Sequence, residues 1–440
     1  MPIKIHFDVE FRKDGAIHNE AEVARVLSGL RGLTNLVVIA HGWNNDKAEA
    51  TSLFDAFQKS VNDTGVEDLI SGAGSRNLGV VRIYWPSKKF ADRDLIPGGG
   101  AASVGAANAA SDESLQRLLN ELKDDPVLLG GQDIDEARRV HLDRAQALAS
   151  SLRESAAARA EYVQAIRAIL NPDDKHTEDG SAEFFSADPE TLFQALSENV
   201  KFRPASGSGG ATALANGGAA GFVGDTAEGV AAAARRIANF ATYYQMKSRA
   251  GTVGRTGVAL MLARIRATRA NLPLHLVGHS FGGRLVTAAA AALPAGSAAV
   301  NLMLLQAAFS HNGIGRKFDG KNDGAFRTVI QDRRVSGPVL ITHTKNDRAV
   351  GIAYPLASRI ANDAAAALGD ENDPYGGIGR NGAQHTPEAE AGVLGDLDAA
   401  YSFKPGKVYN LRADRFIADH STVTGHQVAH AFWHGLIATG

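Results

Sequence analysis

The chain has 440 residues, a formal net charge of −2, 44% hydrophobic and 21% charged residues, and no cysteine. Disulfides, thiolate nucleophiles and cysteine-ligated zinc are thereby excluded, and the balanced charge gives no electrostatic reason to expect nucleic acid or an anionic membrane as partner. There is material for one large core or two modest ones, and a neutral or small-molecule substrate fits this composition better.

The opening residues lack a basic segment followed by an apolar one, and no apolar run is long enough to span a bilayer. The expectation is a cytoplasmic protein with no integral membrane segment, although an exported protein without a cleaved signal would carry the same signature. Ile3, Ile5, Phe7, Val9 and Phe11 alternate with polar residues, as in an edge strand with one wet face. Leu36 to Ala40 and Val80 to Trp85 are apolar at nearly consecutive positions, as strands buried on both faces are. Between them Leu53, Phe54, Phe57 and Val61 recur at helical spacing over 48–61. The pattern breaks at about Ala91 and resumes near Ile237. The intervening stretch, 91–236, has charged helical segments such as Asp133 to Ile169, bracketed by Pro97-Gly98-Gly99-Gly100 and a Gly/Ala/Ser-rich run over Ser206–Gly221. We read it as a helical insertion, a cap or lid, in a core made of 1–90 and 237–440.

Helical patterns follow through Tyr243, Met246 and Arg249 and over Val258–Ala267, then a strand at Leu272–Val277, a helix at Leu285–Ala292 and a strand at Val300–Leu305. Strands at Val339–Thr342 and Val408–Leu411 and helices at 353–367 and Gln427–Ile437 complete the set. Alternating βα units predict an α/β fold with a doubly wound, mostly parallel sheet, whose chemistry gathers at the carboxyl ends of the strands.

Gly278-His279-Ser280-Phe281-Gly282-Gly283 stands directly between an apolar strand and a helix. With 47 glycines in the chain the bare Gly-x-Ser-x-Gly pattern is weak, and its position supplies the weight. At a tight strand-to-helix turn the hydroxyl is lifted out of the sheet, and the flanking glycines give crowded segments room to pass. The competing reading is a serine N-cap on an ordinary βα turn. A tetrahedral intermediate needs two N–H donors, which we assign to the backbones of Phe281, next to the nucleophile, and Trp43, in the loop His41-Gly42-Trp43-Asn44 after the first buried strand. His41 and Gly42 are then expected to meet substrate, as are His279 and His311 unless those two are structural. Asp347 leaves the strand Val339–Thr342 and is the expected orienting carboxylate, ahead of Asp332 and Asp323, neither of which stands at a strand exit. His420, on the loop after the last strand, is the expected base, with His426 the next candidate. His426, His430 and His434 share a helix face but lack the glutamate of a His-Glu-x-x-His site, so no metal is expected, and no cofactor.

Ser280 in its turn, His41-Gly42-Trp43 after an earlier strand, and Asp347 and His420 in that order resemble the α/β-hydrolase superfamily. Tyr84-Trp85-Pro86-Ser87 looks like the Trp-Pro-Ser segment of poorly characterised bacterial members. The resemblance covers roughly 1–90 and 237–440, and implies a serine hydrolase whose acyl-enzyme forms on Ser280, with His420 as base and Asp347 orienting it. It leaves the insertion, placed after the Trp-Pro-Ser strand, unexplained. The leading expectation is hydrolysis of small or medium carboxylic esters. A lipase or phospholipase, free or delivered as an effector, and amide cleavage are alternatives, as is a non-catalytic scaffold of the same fold.

Overall fold

The computed structural model describes residues 2–43, 45–87, 112–124, 129, 134–170, 178–197, 227–297, 299–347, 349–350 and 373–439. The helix expected at 353–367 and the glycine-rich stretches at 97–100 and 206–221 lie outside them. Among the described residues eight strands form one sheet: β1 Ile3–Glu10, β2 Asn35–Ala40, β3 Leu78–Tyr84, β4 Leu274–His279, β5 Val300–Leu305, β6 Val339–His343, β7 Ala389–Val393 and β8 Val408–Arg412. Their order is β1-β3-β2-β4-β5-β6-β8-β7, and every neighbouring pair is parallel. The protein is therefore of the α/β class.

The apolar runs account for the middle of the sheet. Every residue of β2, β3, β4 and β5 is buried, as covering on both faces requires. β1 lies at an edge with Phe7 and Val9 turned inward, though Ile5, expected to share that face, is exposed. At the other edge β7, Ala-Glu-Ala-Gly-Val, is a strand that the pattern did not announce; its residues are exposed or half-buried, so it needs no apolar run.

Helix α1 (Glu20–Gly29) is capped by the Asn19 side chain, and α2 (Lys47–Thr64) starts with a reciprocal capping box between Asp46 and Glu49. Phe54, Phe57 and Val61 of α2 share a core with Val37 and Ile39 of β2 and with Phe432 and Trp433 of the closing helix, His426–Ile437. The Trp433 indole N–H donates to the Val61 carbonyl at 2.9 Å, so a residue near the C-terminus locks the first βα unit. The expected break between the helices before β4 is instead a π-helical turn, Val253–Val258, that continues one helix, Ala227–Thr252, into the next, Ala259–Thr268.

The chain divides into two compact units. The first contains the sheet and takes residues from Met1–Ala91, Gln245–Tyr354 and Gly369–Gly440. The described part of the second lies between Asp112 and Tyr244 and is helical: Asp112–Asp124, Glu136–Leu148, Ala156–Ala168, Ser181–Ser186, Pro189–Ser197 and the first part of Ala227–Thr252. Its core includes Leu142, Tyr162, Ile166, Phe184 and Leu192, and the Tyr162 hydroxyl donates to the Ala234 carbonyl at 2.9 Å. Charged residues of these helices pair on the outside, as Arg144 does with Glu161. Among the described residues no helix is long and apolar enough to cross a membrane.

Candidate active site

The site is built on the carboxyl ends of neighbouring parallel strands. Register pairs Ala40 of β2 with Gly278 of β4, so the residues that follow, His41-Gly42-Trp43 and His279-Ser280, leave the sheet side by side.

Ser280 sits between β4 and the helix Phe281–Ala291 with φ 55° and ψ −126°, a region that an L-residue occupies only under strain. Its side chain makes no capping bond to that helix, which removes the ordinary N-cap explanation for a serine here. The backbone holds the turn: the Ser280 N–H donates to Leu305 at 3.1 Å, and its carbonyl accepts from Gly283 and Ala308, each at 2.9 Å. The flanking glycines are required by close approach. A Cβ on Gly278 would lie 2.4 Å from the Gly282 carbonyl oxygen, and one on Gly282 would lie 2.3 Å from that of Ala40.

Gly42 presses on the Ser280 turn from the neighbouring strand end. A Cβ there would stand 2.7 Å from Ser280 Cβ, 3.3 Å from its Oγ and 3.1 Å from His279 Nδ1. The Trp43 ring packs on that of Phe281 with centroids 5.7 Å apart, so the two residues expected to supply N–H donors are neighbours.

Asp347 follows β6 and is wholly buried. Its Oδ1 accepts from the Val350 N–H at 3.0 Å, and its Oδ2 accepts from His420 Nδ1 at 2.8 Å. The turn carrying Asp347 is stitched to the loop carrying His420: Thr344 Oγ1 donates to Asp414 Oδ1 at 2.7 Å, and Asn346 Nδ2 donates to the carbonyls of Asp414 and Ile417 at 3.1 and 3.0 Å. Beside His420, Asp419 accepts from the N–H groups of Ser421 and Thr422. Burial pulls the His420 pKa down, but the charge of Asp347, its hydrogen bond and the charge of Asp419 outweigh that and raise it above the ordinary value. With Nδ1–H committed to Asp347, Nε2 is the nitrogen left to accept a proton.

His279 joins the two halves. Its Nε2–H donates to the His420 carbonyl at 2.7 Å, and the two rings lie 4.8 Å apart. The His420 loop is thus bonded to the residue immediately before Ser280. Burial first, then the neighbouring His420, pushes His279 down to about 3, so it stays neutral. His41 is buried with both ring nitrogens bonded to protein backbone, and His279 is buried with its Nε2 so bonded. His311 is buried between Gly376 and Asn381, and burial followed by its neighbour His385 lowers it to about 3.

The remaining candidates are occupied in other ways. Asp332 pairs with Arg334 at 3.0 Å, and Asp323 accepts from the Lys317 N–H at 2.8 Å. His426 meets Asp63 at 3.2 Å on the surface, and His430 bonds the Ala399 carbonyl at 2.9 Å. Among the described residues no cluster of three or more His, Cys, Asp or Glu could hold a metal ion. Sequence reasoning did not anticipate the ties made by Thr344, Asn346 and Asp414, because short polar side chains in loops carry no periodic signal. No family model, curated protein or solved structure matches this chain.

Proposed function

We propose that the protein is a serine hydrolase that cleaves carboxylic esters, built on an α/β-hydrolase fold with a doubly wound sheet. The observation that carries this reading is the strained, uncapped Ser280 turn, bonded through His279 to a loop whose histidine is paired with a buried aspartate. Strain of this kind costs about 1–3 kcal/mol and persists where the surrounding structure gains something by it. The strand order supports the same reading. From β2 the chain runs outward to β3, and from β4 it runs the other way to β5, so the two strand ends that carry His41-Gly42-Trp43 and Ser280 flank the point where direction reverses. Sites in parallel α/β sheets gather there.

In the proposed reaction Ser280 Oγ attacks the ester carbonyl carbon while its proton passes to His420 Nε2. Asp347 keeps His420 in the Nδ1–H tautomer and stabilises the imidazolium. The N–H groups of Trp43 and Phe281 receive the oxyanion, at the N-terminus of the helix Phe281–Ala291. His420 then protonates the departing alkoxide, the alcohol leaves, and an acyl-Ser280 ester remains. Water attacks that ester, giving its proton to His420, which returns it to Ser280 as the acid is released. No step needs a cofactor.

Hydrolysis of p-nitrophenyl esters of graded acyl length, native protein against Ser280→Ala, tests the reading. Turnover and fluorophosphonate labelling that are both lost in Ser280→Ala are expected, and the chain-length optimum separates esterase from lipase. Absence of turnover and labelling in the native protein would overturn the proposal in favour of a scaffold.

A further inference from the structure

The Tyr84-Trp85-Pro86-Ser87 segment has no part in the chemistry above, yet parallel pairing of β2 with β3, Ala40 beside Ile83, brings it against the loop His41-Gly42-Trp43. Trp85 grips His41 in three ways. Its backbone N–H donates to His41 Nε2 at 3.3 Å, its indole N–H donates to the His41 carbonyl at 3.0 Å, and the two rings stack at 5.7 Å with planes 19° apart. Both residues are buried. Because Nε2 is an acceptor, the His41 proton must be on Nδ1, and Nδ1 lies 2.9 Å from the Gly42 carbonyl oxygen.

That last bond acts on the Gly42–Trp43 peptide. In a trans peptide the carbonyl of one residue and the N–H of the next point in opposite directions, so holding the Gly42 oxygen sets the direction of the Trp43 N–H. The far end of the loop is held too: Ser87 Oγ donates to the Asn45 carbonyl at 3.0 Å, and Asn45 Nδ2 donates to the Trp43 carbonyl at 3.1 Å. The near side is closed by Ser280, against which Gly42 leaves no room for a side chain.

Resting on the hydrolase reading, we infer that His41 is a positioning residue whose Nδ1–H tautomer, selected by Trp85, aims the Trp43 N–H at the oxyanion, and that the Trp-Pro-Ser segment is the brace of the oxyanion loop. His41 then touches no substrate. Burial, partly offset by the bond to Gly42, lowers His41 to about 4, so the brace stays neutral and unbroken across the working range of the base.

The test combines a spectroscopic readout with kinetics. In uniformly 15N-labelled native protein the His41 imidazole, identified by comparison with His41→Asn, is expected to show a protonated Nδ1 and an unprotonated Nε2. His41→Leu removes the donor and is expected to lower kcat about tenfold to a hundredfold, less than outright loss of an oxyanion donor, with KM within about twofold. Its affinity for a trifluoromethyl ketone, which forms a hemiketal oxyanion on the serine, should fall in parallel. His41→Asn places an amide N–H near the Nδ1 position and is expected to recover most of the loss. Trp85→Phe keeps the stack and the backbone donor and should lose about tenfold or less. A Nε2–H tautomer in the native protein, or His41→Leu and His41→Asn that melt cooperatively and keep native kcat and ketone affinity, would overturn this inference while leaving the hydrolase reading intact. A native protein that neither turns over esters nor labels at Ser280 would overturn both.

Discussion

Asp347→Asn is the substitution that asks most of the proposed site, because it changes one buried atom and leaves the shape. The Asp347 side chain is fully buried, with Oδ1 taking the Val350 N–H at 3.0 Å and Oδ2 taking His420 Nδ1–H at 2.8 Å. If the amide oxygen keeps Val350, the NH2 faces His420, and two donors cannot share a bond. His420 then moves its proton to Nε2, where it can no longer receive the one from Ser280. If the amide turns round, the clash moves to the Val350 N–H at about 1–3 kcal/mol. Tautomer loss of this kind lowers kcat about 10⁴-fold, roughly 5.5 kcal/mol of barrier, with KM little changed. The pH profile carries a second sign. In the native protein Asp347 helps to raise His420, so kcat/KM should climb with pH through a midpoint above about 6.5. In Asp347→Asn burial is no longer opposed by that charge, and the residual limb moves to lower pH. The same raised pKa stabilises the fold below about 6.5, and that contribution fades as pH rises past the folded-state value. Steady-state kinetics on a p-nitrophenyl ester, with denaturant unfolding at matched pH, reads all three. A kcat within about tenfold of native would refute Asp347 as the orienting carboxylate.

Four further outcomes are expected. Ser280→Gly should abolish turnover and raise unfolding free energy by about 1 kcal/mol in chemical denaturation, since glycine occupies φ 55° without strain; unchanged or lower stability would remove strain from the account of the turn. Gly42→Ala should keep a cooperative melt but lose at least about a hundredfold in kcat, because its Cβ, 2.7 Å from Ser280 Cβ, must push the oxyanion loop away. His279→Leu frees the His420 carbonyl and should slow fluorophosphonate labelling of Ser280 by about tenfold to a hundredfold, with His279→Gln intermediate; equal rates would show that the tie does not position the base. Glu388→Gln breaks the largely buried, two-pronged pair with Arg327 and should lower stability by about 1–2 kcal/mol at neutral pH. Because Arg327 depresses the Glu388 pKa, that difference should shrink as pH falls through the folded-state value, and a pH-independent gap would contradict it.

The order of βα units was legible because strands covered on both faces are apolar at consecutive positions, as Leu36 to Ala40 and Leu302 to Leu305 are. Edges escape that demand, so β7, with Glu390 and Val393 exposed, left no mark in the hydropathy pattern. Ser280 could be picked out from sequence because its glycines answer a steric need that acts over only a few residues of chain: Gly278 and Gly282 almost touch. Asp347 and His420 are another matter. They stand 73 positions apart, and a strand exit can nominate a carboxylate or a histidine without saying that the two will lie 2.8 Å from one another. Parallel register, the cross-stitching by Thr344, Asn346 and Asp414, and the bond from His279 to the His420 backbone decided that. The Trp-Pro-Ser segment shows the division most clearly. Its residues are visible in the sequence, but the choice of which His41 nitrogen carries the proton belongs to Trp85, 44 positions away, and only folding brings the donor to the ring.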